Sequence, residues 1–443
     1  MSSVFHRALN RKLPLITSGE GIYVVDDSGK RYLDASSGGV VVSALGHGNN
    51  EVAQAIEEQL RKVPYFHGGV FTNQPMEELA VHLVSRAPTG LKKAFFVSGG
   101  SEAVETAVLL ARQYAVETGQ AKRTRIIARR NSYHGATLHG LAIGANIMRR
   151  TPFMDIAPDI LHVPTCYAYR EKLDDETEEE YGLRVADEFE AAILRVPQDS
   201  VLAFVAETVG GNGSGAMPPP KGYFKRVREI CNKYGILLIC DEVLCGLGRT
   251  GDLHACAAEG ITPDILSVAK GLGAGFVPIG AVMTTDAIHE AIRNGSGAFR
   301  GGFTYSGQAV ACAAALKVQQ IVERENLISN VRSMGEALRQ ALISRFSNNS
   351  YVGDIRGRGL LQCIELVSDR SSKDAFDSAL GVNSRVRDAA MARGLLVVPS
   401  GGTVDGRKGD HVVIAPPFIV THDAVNDIVE RLGDAVDKAL ESL

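Results

Sequence analysis

Asp264-Ile265-Leu266-Ser267-Val268-Ala269-Lys270-Gly271-Leu272-Gly273 is a short apolar run that meets one lysine and then a glycine-rich turn. The run reads as a buried strand, and the glycines mark its end. A second such strand lies upstream, Ile236-Leu237-Leu238-Ile239-Cys240, and it ends in Asp241-Glu242-Val243. A carboxylate and a lysine therefore sit at the carboxyl ends of two buried strands. Open α/β sheets bind their ligands there.

Working outward, strands and helices alternate from about 92 to 320. Ala94 to Val97 precedes a helix near Glu102 to Glu117, and Arg125 to Ala128 is the next strand. Leu202 to Ala206 continues the series into the two strands above. The alternation predicts an α/β fold with a mostly parallel sheet covered by helices. Upstream, residues 21 to 35 read as a hairpin turning at Asp26-Asp27-Ser28-Gly29. Helices are expected near 50–61, 76–86, 174–195 and 308–348. Beyond them, short strands near Ile355 to Leu366 and Leu395 to Pro399 flank a helix, and another helix ends the chain. That part reads as a smaller α+β domain. The expected division is an N-terminal segment 1–62 joining the small domain, a large domain 63–325 and a C-terminal small domain 326–443.

The 443 residues suffice for a large core, and 45% hydrophobic with 22% charged residues is ordinary for a globular protein. A net charge of −4 without a basic stripe argues against nucleic acid as a partner. The seven cysteines contain no C-x-x-C pair, which favours reduced thiols over a disulfide framework. Met1 to Arg7 has no apolar signal core, and no stretch is apolar enough to span a bilayer. A cytoplasmic protein with small-molecule substrates and no membrane partner is the expectation. The acidic stretch Asp174 to Glu180 reads as a solvated helix face.

Four further motifs sit at strand ends. Val97-Ser98-Gly99-Gly100-Ser101-Glu102 joins a strand to a helix. Its glycines admit close backbone approach, and the free amides and positive dipole end of the helix attract an anion such as phosphate. The plainer reading is a turn with a serine cap. Ser132-Tyr133-His134-Gly135 places a tyrosine where it can stack on a flat heteroaromatic ring, an arrangement worth roughly 0.5–1.5 kcal/mol beyond area burial. Read alone, Tyr133 is a core aromatic and His134 a structural histidine. Glu207 ends the strand from Leu202 and can accept from a ring hydroxyl or cap a loop. Val243 points to the same side as Asp241 if that strand continues.

Together, Asp241 and Lys270 suit an aldehyde cofactor with a pyridine nitrogen. The amine can condense with the aldehyde, and the carboxylate can keep the nitrogen protonated. Each unit by which a nearby carboxylate raises the nitrogen's pKa is worth about 1.36 kcal/mol. Gly246-Leu247-Gly248-Arg249-Thr250-Gly251 formally matches G-x-G-x-x-G, but five residues separate it from its strand and no clean helix follows. A nicotinamide site there is the remote alternative. H-E-x-x-H, G-x-S-x-G and Walker A patterns do not occur, and no metal site is expected.

With those residues assembled, the chain resembles the class III (omega) aminotransferases, pyridoxal-phosphate enzymes of fold type I. The likeness extends through Gly248 to Gly251, Phe303-Thr304-Tyr305-Ser306-Gly307 and Ala415-Pro416-Pro417-Phe418. It implies a large domain with a mostly parallel seven-stranded sheet, a smaller α+β domain, and a homodimer or dimer of dimers with sites at the subunit interface. It implies that Lys270 binds pyridoxal 5'-phosphate covalently and shuttles a proton, and that Asp241 pairs with the pyridine nitrogen. Tyr133 and Val243 would sandwich the ring, Gly100 and Ser101 would bind the phosphate, and Thr304 would reach a neighbouring subunit's phosphate. His134 and Glu207 complete the expected cofactor contacts. The implied reaction moves an amino group from a donor to a keto acid or aldehyde. Mutases, epimerases, decarboxylases and phospho-lyases share the same motifs.

Two departures shape the expected specificity. Thr208 follows the acid where many members have proline. Val412-Val413-Ile414 stands where members specific for ornithine or gamma-aminobutyrate-type donors carry an arginine. The nearest pattern is the amine:pyruvate-like branch, in which a mobile arginine of this late loop binds the acceptor carboxylate, and Arg407 is the candidate. Valines at 40–42 imply a roomy pocket, with Val41 lining it and Tyr65 and Phe66 narrowing it. An amine or omega-amino acid donor with pyruvate as acceptor is the expectation.

Overall fold

The computed structural model describes residues 3–144 and 146–441. Its centre is a seven-stranded sheet in the order Leu91–Val97, Gly280–Thr285, Ile265–Val268, Leu237–Asp241, Val201–Glu207, Arg125–Arg129, Leu161–Val163. Gly280–Thr285 runs antiparallel to both neighbours, and the other pairings are parallel. Every residue of Val201–Glu207 is buried. That two-sided burial explains why its sequence is a continuous apolar run rather than an alternation. Separate apolar clusters cover the two faces. One gathers Phe189, Phe204, Tyr223 and Leu266; the other gathers Val104, Ala107, Val205 and Ile239.

Register decides where the chemistry falls. Glu207 pairs with Asp241, and Asp241 pairs with Ser267. Three adjacent strands thus end in line, with Lys270 just past the third. The expected helix from 174 begins instead at Glu178, where Thr177 and Glu180 form a reciprocal capping box. The acidic residues before it belong to the preceding turn.

Two four-stranded sheets flank this layer. Ile16–Glu20, Tyr23–Asp26 and Arg31–Asp34 form an antiparallel meander, which Leu395–Leu396 extends in parallel. Val352–Arg358, Leu361–Leu366, Asp410–Ile414 and Val398–Gly401 form the other, antiparallel throughout. One apolar cluster joins residues of the N-terminal segment, such as Leu33 and Val52, to C-terminal residues such as Leu338 and Leu432. A buried polar knot ties this sheet to the central layer. Glu365 accepts from Tyr167, Arg170 and Arg356, while Arg356 also donates to the Ser214 and Gly215 carbonyls. Among the described residues no helix is long and apolar enough to cross a membrane.

The glycine run Gly246–Gly251 has a packing role. Gly248 has φ +98°, and a Cβ there would lie 2.9 Å from Ile328. Arg249 is buried within the run and donates to the Leu360 and Pro416 carbonyls and to Ser37 Oγ. Its guanidinium lies over the Phe418 ring. Burial pulls its pKa down to about 9. The glycines allow the backbone to close around this cation, and no long helix opens behind them.

Candidate active site

A cavity of about 600 Å³ opens at the carboxyl ends of the central strands. Lys270 lines its floor, two residues past the end of the strand Ile265–Val268. Its φ of +41° is in the left-handed region, an unfavourable conformation for a residue with a Cβ. Burial pulls its pKa down to about 8, against the opposing charges of Glu207 and Asp241. Among the described residues its amine has no hydrogen-bond or ion-pair partner.

Asp241 is buried with both oxygens engaged. Oδ1 accepts from the Val243 amide at 2.9 Å, and Oδ2 lies 2.7 Å from His134 Nδ1. With Nδ1–H donating to the carboxylate, His134 Nε2 is a bare acceptor, buried and without a partner among the described residues. Val243 was expected on a continuing strand. The strand stops at Asp241, and Val243 reaches the cavity through the turn closed by Asp241's own side chain.

Glu207 is likewise buried. Oε1 accepts from the Tyr133 amide at 2.9 Å and Oε2 from the Gly211 amide at 2.5 Å. Burial raises its pKa, with nearby Asp241 adding to the effect and His134 opposing it. Its main-chain carbonyl accepts from Arg129. Glu207 therefore positions the Tyr133 backbone. Thr208, the departure from proline, donates to the buried Glu242 at 3.0 Å.

The turn before the helix Gly100–Glu117 has no side-chain cap. Gly100 in this turn and Gly135 in the loop facing it are sterically required. A Cβ on Gly100 would lie 2.6 Å from Val243 Cγ1, and one on Gly135, at φ +106°, would lie 2.7 Å from Ser101 Oγ. Ser101 Oγ accepts from the Ala136 amide at 3.1 Å. The result is a cradle of amides and hydroxyls at the positive end of an 18-residue helix. A phosphorylated pyridine aldehyde fits this set. The cradle suits its phosphate, a buried carboxylate suits its ring nitrogen, and a half-buried lysine with a lowered pKa suits its aldehyde.

The family model for aminotransferase class-III matches residues 5–436. The chain belongs to the class III aminotransferases. This family is pyridoxal-phosphate dependent, and its fold is fold type I. An uncharacterised aminotransferase of Schizosaccharomyces pombe is 41% identical over 99% of this chain and 96% of its own. A gamma-aminobutyrate transaminase of rice is 37% identical over 96% of this chain and 81% of its own. The omega transaminase of Pseudomonas jessenii, solved in complex with PMP, superposes with a TM-score of 0.91 at 35% identity, covering 97% of this chain and 93% of that one.

Gly100, Ser101, Tyr133, His134, Glu207, Asp241, Val243, Lys270 and Val41 all line the one cavity. Four expected residues, Tyr65, Phe66, Thr304 and Arg407, do not. Tyr65 and Thr304 lie outside it and contact each other, the tyrosine hydroxyl donating to the Thr304 carbonyl at 2.9 Å. Arg407 is exposed on the wall of an adjoining cavity, beside Asn383 and Asp410. Conversely, Arg7, Arg149 and Asn212 line the main cavity without having been singled out. They come from loops and a one-turn helix, where hydrophobic periodicity carries no signal. The arginine pair Arg149-Arg150 in an otherwise apolar stretch was the one available cue.

Proposed function

We propose that this class III aminotransferase moves an amino group from an amine or omega-amino acid to a keto acid, with pyruvate as the acceptor. The observation that carries the reading is the convergence of Asp241, Lys270, Tyr133 and the Gly100–Ser101 cradle on one cavity. The bound cofactor supplies an electron sink for the pair left when a proton leaves the amine-bearing carbon. Lys270 holds the cofactor and then carries that proton, a task suited to an amine whose pKa burial has pulled to about 8. Asp241 keeps the ring nitrogen protonated, and His134 fixes the carboxylate's orientation. Tyr133 and Val243 hold the ring between them. Gly100 and Ser101 take the phosphate. Val41 shapes the substrate side, whereas Tyr65 does not reach this cavity.

The same reading assigns a homodimer or dimer of dimers, in which Thr304 serves the neighbouring chain's phosphate. It places the protein in the cytoplasm and Arg407 on the acceptor carboxylate. It also assigns the cofactor-binding unit to 63–325 and the smaller unit to 1–62 with 326–443.

Absorbance of the purified protein, recorded with a panel of amines and no acceptor, tests the reading. The expected result is loss of the visible cofactor band and its return on adding pyruvate, with both absent in Lys270→Ala. A band that amines leave unchanged, or that fades without an aminated acceptor forming, overturns transfer and favours a mutase or lyase on the same scaffold.

A further inference from the structure

Two cations on the wall of the cavity have nothing to neutralise them. Arg149 belongs to the one-turn helix Ile147–Arg150, and Arg7 to the segment before the first strand. Among the described residues neither guanidinium makes a hydrogen bond or an ion pair. Three other arginines that contact carboxylates show what pairing looks like: Arg226 with Asp187 and Glu190, Arg324 with Glu51, Arg356 with Glu365. The two carboxylates of the cavity do not answer its arginines. Both oxygens of Asp241 and both of Glu207 are already engaged by His134 and backbone amides.

Arg149 is nonetheless oriented. Its guanidinium lies over the Tyr133 ring, 4.8 Å from the centroid. That contact uses none of its N–H donors in a hydrogen bond, and the planar fork of a guanidinium matches a carboxylate with two parallel hydrogen bonds. The same cavity carries an apolar stretch of Val40, Val41, Val42, Met148 and Val398 beside the neutral polar Asn146, Asn212 and Ser400. An apolar stretch and an unpaired fork in a cavity that also holds Lys270 describe a ligand with an anion at one end and an amine at the other.

We infer that Arg149, assisted by Arg7, recognises a carboxylate at the far end of the amino donor. The donor class is then an omega-amino acid with an apolar spacer rather than a neutral amine. The inference rests on the transaminase reading above and narrows it.

The test uses the holoenzyme, a ladder of omega-amino acids, and neutral alkylamines of matching length, with pyruvate as acceptor. Wild type is expected to prefer the amino acids. Arg149→Gln is expected to lower the amino acid to alkylamine ratio of kcat/KM by about ten- to hundredfold, the loss expected for a hydrogen-bonded charge pair, mainly through KM. Arg149→Lys keeps the charge but not the fork and should fall between. Hexanoate, which has no amine and is not itself turned over, reports on carboxylate binding alone. Its inhibition constant against an alkylamine should rise by a similar factor in Arg149→Gln. An unchanged ratio and an unchanged hexanoate constant overturn the inference, as does an equal loss for both donor classes. Failure of every donor to bleach the wild-type cofactor band is a separate outcome, and it sinks the transaminase reading together with the inference.

Discussion

On the floor of the cavity every carboxylate oxygen has a hydrogen-bond donor, while on its wall two arginines have none. Burial explains the difference. A charge withdrawn from water must be bonded in place, because leaving it unsatisfied costs several kcal/mol. Asp241 and Glu207 are buried and therefore fixed. Arg7 and Arg149 are exposed, so water can solvate them until an anion replaces it. A fully bonded floor suits chemistry that must be the same in every turnover. An unpaired wall suits a choice among substrates.

Asp241→Asn breaks the floor most severely. The side chain keeps its shape but loses the charge that holds a ring nitrogen protonated and gives His134 an anionic partner. We expect kcat to fall about 100-fold or more, the equivalent of two pKa units or about 2.7 kcal/mol, with cofactor still retained. Cofactor content and kcat measured on one preparation check it. Undiminished kcat would remove Asp241 from the chemistry and leave its buried bonds as structure only.

Lys270 sharpens the comparison through pH. Only the neutral amine condenses with an aldehyde, and burial lowers this amine's pKa to about 8. Lowering favours the reactive form, so it appears at lower pH than for an exposed lysine. In cofactor-stripped protein, the rate at which added pyridoxal phosphate regains its bound absorbance should rise about tenfold between pH 7 and 8.5 and then level. A rate that keeps climbing through pH 10 would show an ordinary lysine, and the floor would lose its claim to electrostatic tuning.

The same division governs what could be read from the chain. Lys270, Asp241 and Glu207 were legible because a buried strand is a conspicuous apolar run and its polar terminus stands out against it. The Gly100–Ser101 cradle was legible because a glycine-rich turn precedes a long helix. The strands Leu161–Val163 and Gly280–Thr285 escaped notice. The first is three residues long. The second lies beyond the lysine turn and returns antiparallel, where the alternation of strand and helix predicts a helix. Val243 was placed by extending a strand that its own aspartate terminates. Arg149 and Arg7 reach the cavity through loop geometry, which local pattern does not encode. Thr304 and Tyr65 came from likeness alone, and within one chain they meet only each other.

Arg407 is where the wall of the cavity can be divided most finely. It lies in the loop 402–409, which the Asn131 side chain holds through the Thr403 and Val404 carbonyls at 3.3 and 3.1 Å. Asp405 caps the Arg407 and Lys408 amides, leaving the arginine side chain exposed. Gly401 and Met148 line both the main cavity and the one beside Arg407, so the two spaces adjoin. An exposed arginine next to the entrance can swing toward a small keto acid without breaking a buried contact. Arg407→Ala should raise the KM for pyruvate about three- to tenfold and the KM for an uncharged aldehyde acceptor by less, a modest change because solvent screens the pair. Equal changes for both acceptors would reject Arg407 as the acceptor ligand. The more informative comparison is with the donors. If Arg407→Ala moves the pyruvate to aldehyde ratio while Arg149→Gln moves the amino acid to alkylamine ratio, the two arginines serve opposite half-reactions. If both variants move the same ratio, the wall is a single anion site and the separation of donor from acceptor recognition fails.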